Sequence, residues 1–211
     1  MPSVYIVEGS AQYHKMFHAM GWKAAGGIEA ADLVQFTGGE DVTPGLYGER
    51  NHPQTVNNPR RDQYEGALFR QLLDMGKPMA GICRGGQFLN VMSGGAMWQH
   101  INGHAIHGTH PCIDNETGEV VQVTSTHHQM MRPNESGLIL GQAYEAIRLE
   151  RMDGDKVVVH KDDPKYAADV EVVLYPEMKA LCFQAHPEFP WYEECRDWYF
   201  SLINRHLGLK A

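Results

Sequence analysis

One cysteine of the chain, Cys83, stands between two glycines in the segment GICRGGQ. The apolar run 79–82 before it predicts a short buried strand, and Phe88, Leu89 and Met92 after it recur at the three- and four-residue steps of a helix. The spacing Gly-x-Cys-x-Gly is that of a nucleophile elbow, in which a sharp turn from strand to helix pushes a side chain outward. A helix N-terminus favours the thiolate, so the pattern predicts a cysteine nucleophile, with a buried core cysteine as the alternative.

A histidine and a glutamate lie two residues apart in the segment QAHPEF. In extended backbone, His186 and Glu188 project from the same face, and Pro187 between them is typical of a strand end that opens on a site. The carboxylate can bond one imidazole nitrogen and leave the other to accept the proton of a thiol. Alone, this pair would more simply be a partly exposed strand end. Together with Cys83, it supplies a nucleophile, a base and a group that orients the base.

A pair of glycines, Gly38 and Gly39, ends another predicted strand. The carboxyl edge of a parallel sheet is where ligands usually bind. The backbone amides of this pair, together with that of Arg84, could therefore form an oxyanion hole, although a plain turn fits the local sequence equally well.

Histidines are frequent in the segments HINGHAIHGTH and STHHQM. His104, His107 and His110 repeat every three residues, but no carboxylate or thiolate accompanies them at the spacing of a metal site. We therefore expect a loop of solvated or hydrogen-bonding histidines there. No metal and no cofactor are predicted, because a cysteine nucleophile and backbone amides supply the chemistry.

The elements that must position these residues alternate between strand and helix. Apolar runs predict strands at 3–9 and 32–39, and residues 11–21 and 60–76 carry the apolar period and the ending signals of helices. The segment 40–59 is rich in Gly, Pro and Asn and predicts a long surface loop of the kind that is often functional. This alternation predicts an α/β fold with a mostly parallel sheet and helices packed on it.

The later part of the chain has a different character. Short apolar stretches linked by turn residues predict a few additional strands, a hairpin and a terminal helix. The predicted strands span residues 119–126, 137–144, 146–152 and 156–160, the hairpin spans 169–189 and the helix spans 191–207. Residues 1–211 are expected to form a single domain, because no repeat or linker interrupts them.

The composition limits the kinds of molecule that the protein could bind. The formal net charge of −8 argues against binding to nucleic acid. The sequence also lacks a basic amphipathic segment of the kind that binds a membrane surface. No apolar stretch approaches the roughly 20 residues that span a bilayer, and the N-terminus does not resemble a signal peptide. We therefore expect a cytoplasmic protein whose four cysteines are reduced thiols.

Five separated motifs resemble, in order, those of the class I glutamine amidotransferase superfamily, and most closely those of its γ-glutamyl-γ-aminobutyrate hydrolase-like branch. The motifs are GGEDVTPGLYGE, RRDQYEGAL, GICRGGQFLNVMSGGAMWQ, TSTHHQ and QAHPE. The resemblance implies a three-layer, flavodoxin-like fold with a mostly parallel central sheet. It also implies Cys83 as nucleophile, His186 as base and Glu188 as the carboxylate that orients the base.

The resemblance further implies which residues surround a γ-glutamyl group. An oxyanion hole would come from backbone amides near Gly39 and Arg84. The expected substrate-binding residues are Gly38, Gly39, Arg84, Gln87, Ser125, Thr126, His127, His128 and Gln129.

Three positions depart from the pattern of that branch. Thr37 stands where relatives often have proline, Thr124 replaces the asparagine of N-S-x-H-H-Q, and Ala185 replaces the tryptophan before H-P-E. We expect the chemistry of the three catalytic residues to survive these changes. The smaller Ala185 is expected to open the wall of the pocket, so that the leaving amine could differ.

Three functions stay open at this point. The first is a free-standing hydrolase of glutamine or a γ-glutamyl amine, acting through a γ-glutamyl thioester. The second is a glutaminase subunit that supplies ammonia to a separate synthetase or ligase, since the sequence carries no ATP-binding P-loop. The third is a catalytically silent binding module, which the presence of both Cys83 and His186 disfavours.

Overall fold

The structure, a computed structural model, describes residues 1–146, 148–160 and 168–210. Ile147, which falls within the predicted strand 146–152, and the side chain of His107 lie outside the described part. The helices are α1 (Ala11–Ala19), α2 (Pro59–Asp74), α3 (Arg84–Met92) and α4 (Glu193–Leu207).

The strands follow the predicted alternation and then the predicted series of short segments. They are β1 (Ser3–Val7), β2 (Lys23–Ala24), β3 (Leu33–Phe36), β4 (Met79–Ile82), β5 (Ala96–Trp98), β6 (His100–Ile101), β7 (Ala105–Asp114), β8 (Val120–Thr126), β9 (Met130–Arg132), β10 (Leu138–Ala143), β11 (Leu149–Asp153), β12 (Lys156–His160), β13 (Asp169–Tyr175) and β14 (Ala180–Phe183).

A nine-stranded sheet of described strands has the order β2-β1-β3-β4-β14-β13-β10-β7-β8. Neighbouring strands from β2 to β14 run parallel, and neighbouring strands from β14 to β8 run antiparallel. We call these the parallel half and the antiparallel half of the sheet. The described strands also form a smaller sheet, β12-β11-β6, and a pair, β5-β9.

Helices cover both faces of the sheet, and each face carries its own apolar core. On one face Phe17 of α1 joins Ile82 and residues of α4 in a buried cluster, and on the other Phe88 of α3 joins Met79 and residues of α2. Strand β4 is buried on both sides, which is why it appears in the sequence as an uninterrupted apolar run. The predicted three-layer α/β fold is confirmed. Within the described ranges, no helix has the length and apolarity that crossing a bilayer requires.

Two predictions for the later part of the chain had different outcomes. The hairpin 169–189 is confirmed, because β13 and β14 pair antiparallel around a short 3-10 turn at Pro176–Met178. The expected loop of solvated or hydrogen-bonding histidines is wrong as to the loop and the solvation, although His104 does lie within hydrogen-bond distance of Asp169. Residues 105–114 form β7, an interior strand of the antiparallel half, and both His104 and His110 are buried. The sequence hides this strand because buried polar side chains replace the usual apolar alternation.

Candidate active site

Cys83 occupies the turn between β4 and α3. Its backbone has φ 51° and ψ −116°, a conformation that L-residues rarely adopt and that costs about 1–3 kcal/mol. Two hydrogen bonds hold it: the Cys83 N–H donates to the Phe183 carbonyl at 2.7 Å, and the Gln87 N–H donates to the Cys83 carbonyl at 2.9 Å. The Cys83 thiol is half-buried, whereas the other three thiols of the chain are buried. The geometry is that of the strand-to-helix turn expected for a nucleophile.

Three glycines let α3 begin directly against the sheet. A Cβ on Gly81 would lie 2.3 Å from the backbone of Gly85, and a Cβ on Gly85 would lie 2.5 Å from the Phe36 carbonyl group. A Cβ on Gly86 would lie 2.8 Å from the backbone nitrogen of Phe183. Real Cβ atoms do not approach other atoms so closely, so the glycines around Cys83 are required by packing.

His186 follows β14, the neighbour of β4, so its ring reaches the same sheet edge as Cys83. Its Nδ1 lies 2.7 Å from Glu188 Oε1. Its backbone N–H donates to Thr124 Oγ1 at 2.6 Å, which anchors the end of β14 to β8. The Phe189 ring stacks on the imidazole, with centroids 4.7 Å apart. These contacts fix the ring and leave Nε2 as the nitrogen available to the thiol.

The proton affinity of His186 is set by its two neighbours. Burial lowers the pKa of His186, but the charge of Cys83, a hydrogen bond to its sulfur and the Glu188 carboxylate together raise it to about 10. At neutral pH the ring therefore keeps a proton that a leaving group could take.

Gly38 lies next to both Cys83 and His186. A Cβ at Gly38 would lie 3.1 Å from His186 Cε1 and 3.8 Å from Cys83 Cβ. Both polar backbone groups of Gly38 are bonded within the protein: its N–H donates to Tyr13 Oη at 2.9 Å, and its carbonyl accepts from Arg61 at 2.9 Å. The turn is thus held in place by α1 on one side and α2 on the other.

Tyr13 belongs to the site, and sequence reasoning missed it. The residue lies on the buried face of α1, with its hydroxyl near Glu188. Burial and the charge of Glu188 raise the pKa of Tyr13 above its usual range. In the sequence, Tyr13, Met16 and Phe17 form an ordinary apolar stripe, and only the polar tip of the tyrosine could have drawn attention to it.

A pocket of about 190 Å³ opens beside the thiol. Its lining contains Cys83, most of the predicted substrate-binding residues and part of the predicted loop 40–59. The predicted lining residues are Gly39, Arg84, Gln87, Thr126, His127, His128 and Gln129, and the loop residues are Glu40, Asp41 and Val56. Two predicted residues are not part of this lining: Gly38, and Ser125, which is buried and donates its hydroxyl hydrogen to the His104 carbonyl. A larger cavity of about 880 Å³, beside α1 and β2, contains none of the predicted site residues.

Buried charges on α2 hold the turn that carries the pocket amides. The Arg84 guanidinium is buried and forms ion pairs with Asp62 and Glu65. Arg61 pairs with the same Glu65 at 2.8 Å and also donates to the carbonyl of Gly38. Buried charges are tolerated when they are paired in this way. The side chain of Arg84 therefore fastens α3 to α2, and the residue also lines the pocket.

Ala185 does not open the wall of the pocket, so that expectation is wrong. Its side chain is buried in the apolar cluster on the α1 and α4 face, together with Val123 and Trp198. Successive residues of extended backbone point to opposite faces, so His186 turns to the site while Ala185 turns to the core.

Comparisons with known proteins identify the family to which the chain belongs. The profile of the peptidase C26 family matches residues 19–150, which include Cys83. YvdE, a glutamine amidotransferase-like protein of Lactococcus lactis subsp. lactis, is 31% identical over 186 residues, or 79% of this chain and 70% of that protein. A Mycobacterium tuberculosis protein that carries the name glutamine amidotransferase is 36% identical over 131 residues. That alignment covers 54% of this chain and 42% of the relative, so the chain spans less than half of that relative's length.

A solved structure has the same fold. The crystal structure of a GMP synthase subunit from Thermoplasma acidophilum aligns over 99% of this chain and 95% of that chain, with a TM-score of 0.65 and 14% identity. At that identity, the likeness concerns the fold alone. Family profile and sequence relatives together show that the chain belongs to the peptidase C26 family, within the class I glutamine amidotransferase superfamily.

Proposed function

We propose that the protein cleaves the γ-amide C–N bond of glutamine or of a γ-glutamyl amine through a thioester on Cys83. The observation that carries the proposal is the position of this thiol on a strained strand-to-helix turn, beside a histidine that a carboxylate orients. Backbone strain of this kind clusters at functional sites, and a purely structural cysteine does not require it. The proposed catalytic residues are Cys83, His186 and Glu188.

The first half of the proposed reaction forms the thioester. The Cys83 thiolate attacks the γ-carbonyl carbon and forms a C–S bond, while the carbonyl electrons move onto the oxygen. The backbone amides of Gly39 and Arg84 stabilise that oxyanion. The C–N bond then breaks, and His186 gives its proton to the leaving amine.

The second half releases glutamate. Water attacks the thioester carbonyl and gives a proton to His186, and the C–S bond breaks to return the Cys83 thiolate. Glu188 holds the imidazole ring and stabilises its charged form in both halves. The atoms of one amide and one water thus become one carboxylate and one amine.

Tyr13 serves in this proposal as a positioning residue. Its Oη accepts the N–H of Gly38, and Glu188 Oε2 lacks a hydrogen-bond partner among the described residues. The tyrosine proton can be directed to that oxygen by rotation of the hydroxyl group. Tyr13 would then link the glycine turn to the carboxylate that orients His186.

The charges of the pocket suit the head group of an amino acid. His128 Nε2 lies 3.2 Å from Asp41 Oδ1, and this contact raises the pKa of His128. A protonated His128 suits an α-carboxylate, while Asp41 and Glu40 suit an α-ammonium group. The pocket volume of about 190 Å³ is below the roughly 300–1,000 Å³ of sites for drug-sized ligands. It favours a bound glutamyl group whose amine points towards solvent.

Turnover by the isolated protein tests this proposal. Glutamine and a series of γ-glutamyl amines are compared by glutamate release, with Cys83→Ala as the control. A free-standing hydrolase should cleave at least one γ-glutamyl amine with a higher kcat/KM than glutamine. No release from any of these substrates would contradict the proposal and favour the silent binding module.

A glutaminase subunit is the second candidate. It is favoured by the names of the sequence relatives and by the GMP synthase subunit that shares the fold. In that case the partner would be a separate synthetase or ligase that accepts ammonia. Hydrolysis of glutamine alone, slow until such a partner is added, would favour this candidate over the free-standing hydrolase.

A further inference from the structure

Four buried side chains from three strands of the antiparallel half converge behind the pocket. They are His104 just before β7, His110 within β7, His127 just after β8 and Glu171 within β13, and we call them the histidine cluster. Each is at most 3% exposed. His127 also lines the pocket, but none of the four takes part in the proposed bond-breaking steps, so the cluster requires an explanation of its own.

One carboxylate oxygen is the centre of the cluster. Glu171 Oε1 lies 3.4 Å from His104 Nδ1, 3.2 Å from His110 Nε2 and 3.5 Å from His127 Nε2. None of these four atoms has a hydrogen-bond partner among the described residues, because the contacts do not have hydrogen-bond geometry. Buried polar atoms that face one another without such a bond are costly and indicate a missing group.

The spacing agrees with a metal ion between these atoms. A tetrahedral zinc site has bonds of about 2.0–2.1 Å to nitrogen and oxygen, which places its ligand atoms about 3.3 Å apart. The three contacts with Glu171 Oε1 lie close to that value. The ligand atoms of His104, His110 and Glu171 also lie within 4.8 Å of one another.

In His104 and His127, the ring nitrogen that faces away from Glu171 has a polar partner, as it usually has in metal sites. His104 Nε2 lies 2.9 Å from Asp169 Oδ2, and His127 Nδ1 lies 2.9 Å from the Gln129 carbonyl. Ligating histidines usually donate their second N–H to a carboxylate or a carbonyl in this manner, and this fixes the tautomer. The nitrogens that remain then present lone pairs towards Glu171.

The hydrogen bonds on the far sides of His104 and His127 direct nitrogen lone pairs at the buried Glu171 carboxylate. A lone pair that faces a carboxylate oxygen leaves acceptor opposite acceptor, and a divalent ion satisfies both.

We propose that the histidine cluster binds one Zn²⁺, with His104 Nδ1, His110 Nε2 and the Glu171 carboxylate as its ligands. All three side chains are sealed from solvent, so the role of the ion is structural. The ion joins β7 to β13 next to His127, which lines the pocket.

This site was not expected from the sequence, because the spacing of His104 and His110 includes no acidic partner. Glu171 comes from β13, and only the fold brings it to the histidines. The ion would not activate water or substrate, so the proposal does not depend on the reaction proposed for Cys83.

Metal loading of the full chain tests the proposal. The protein is dialysed against a chelator, mixed with Zn²⁺ alone, passed through gel filtration and analysed for zinc by mass spectrometry. We expect one equivalent of zinc per chain and a higher Tm for the loaded protein than for the stripped protein. Co²⁺ in place of Zn²⁺ should give the intense visible band of a tetrahedral ion. No retained zinc would overturn the proposal.

Variants locate the ion. Glu171→Gln should lose the bound zinc, whereas Cys83→Ala and His18→Ala, a change at an exposed histidine of α1, should retain it. Zinc that is lost in Cys83→Ala would belong to the thiol and would overturn the assignment. If Glu171→Gln fails to fold, anomalous diffraction at the zinc edge from the loaded wild-type protein decides: a peak between His104, His110 and Glu171 supports the proposal, and a peak elsewhere overturns it.

Discussion

Two groups of histidine and glutamate side chains in this protein differ in their exposure and in the number of imidazoles around one carboxylate. At the carboxyl edge of β14, His186 pairs with Glu188 at 2.7 Å, and its side chain is 14% exposed beside the half-buried Cys83. Inside the antiparallel half, three imidazole nitrogens face one oxygen of Glu171 and are sealed from solvent.

The difference lies in access and in the number of nitrogens that converge. A group that moves protons must keep one nitrogen open to the reacting atoms, and a pair with one carboxylate leaves it open. Several nitrogens around one carboxylate leave no such position, and they suit a bound ion instead. The number of nitrogens that converge on one carboxylate would therefore separate the proposed reactive site from the proposed zinc site.

The largest expected effect comes from Cys83→Ala, which removes the proposed nucleophile. Alanine fits where the thiol lies, so the protein should fold and unfold like the wild type. Turnover of glutamine and γ-glutamyl amines should fall by roughly 10⁴–10⁶-fold, as it does when other covalent catalysts lose their nucleophile. Glutamate release measures the loss. Retained turnover would show that the reaction does not take place at this edge of the sheet, and the contrast with the histidine cluster would no longer hold.

Substitutions of His186 and Glu188 should lower kcat by different amounts. His186→Ala removes the group that carries the proton and should lower kcat by about 10²–10⁴-fold. Glu188→Gln keeps a polar group beside the ring and should leave more activity, because the carboxylate only orients and stabilises the imidazole. Parallel kcat measurements on both variants test this order. Equal and complete loss would mean that Glu188 has a further role.

Tyr13→Phe tests the positioning role of a residue outside the pair. The change removes the acceptor for the Gly38 N–H without altering the packing of α1. We expect kcat/KM to fall about 10-fold, the equivalent of one hydrogen bond of about 1.4 kcal/mol. Most of the fall should be in kcat, and the pKa of His186 measured by NMR should shift as well. A lower Tm with unchanged kcat and pKa would indicate a structural role only.

The smallest effect concerns stability as a function of pH. The pKa of His186 in the folded protein, about 10, lies above the ordinary value of 6.5. Protonation of His186 therefore stabilises the folded state fully below pH 6.5, and this contribution is lost as the pH rises towards 10. Glu188→Gln lowers that pKa, so the variant should lose the contribution at a lower pH than the wild type. Urea unfolding at a series of pH values measures the difference, and identical pH dependence in both proteins would contradict it.

Local patterns were sufficient to predict β1, β3 and β4 of the parallel half, but not the two-residue strand β2. The apolar run of β4, the glycines around Cys83 and the spacing of His186 and Glu188 each lie within a few residues of sequence. Their positions in the structure agree with the elements predicted, because local period and turn residues determine such segments. Whether Cys83 is the nucleophile stays a prediction.

Contacts between distant segments could not be predicted in this way. Tyr13 reaches Gly38 only because α1 packs against the sheet beside β3, and Glu171 reaches His110 only because the strand order places β13 and β7 on either side of β10. Ala185 was misjudged for the same reason, since its environment depends on α4. A single sequence specifies its strands and helices more visibly than the side chains that those elements bring together.

Covalent trapping tests directly whether Cys83 is the nucleophile. The wild-type protein is incubated with diazo-oxo-norleucine, a glutamine-like electrophile, and the adduct is located by peptide mass spectrometry. We expect one adduct per chain, on Cys83, and we expect excess glutamine to suppress its formation. An adduct on Cys112, Cys182 or Cys195, or no adduct at all, would contradict it.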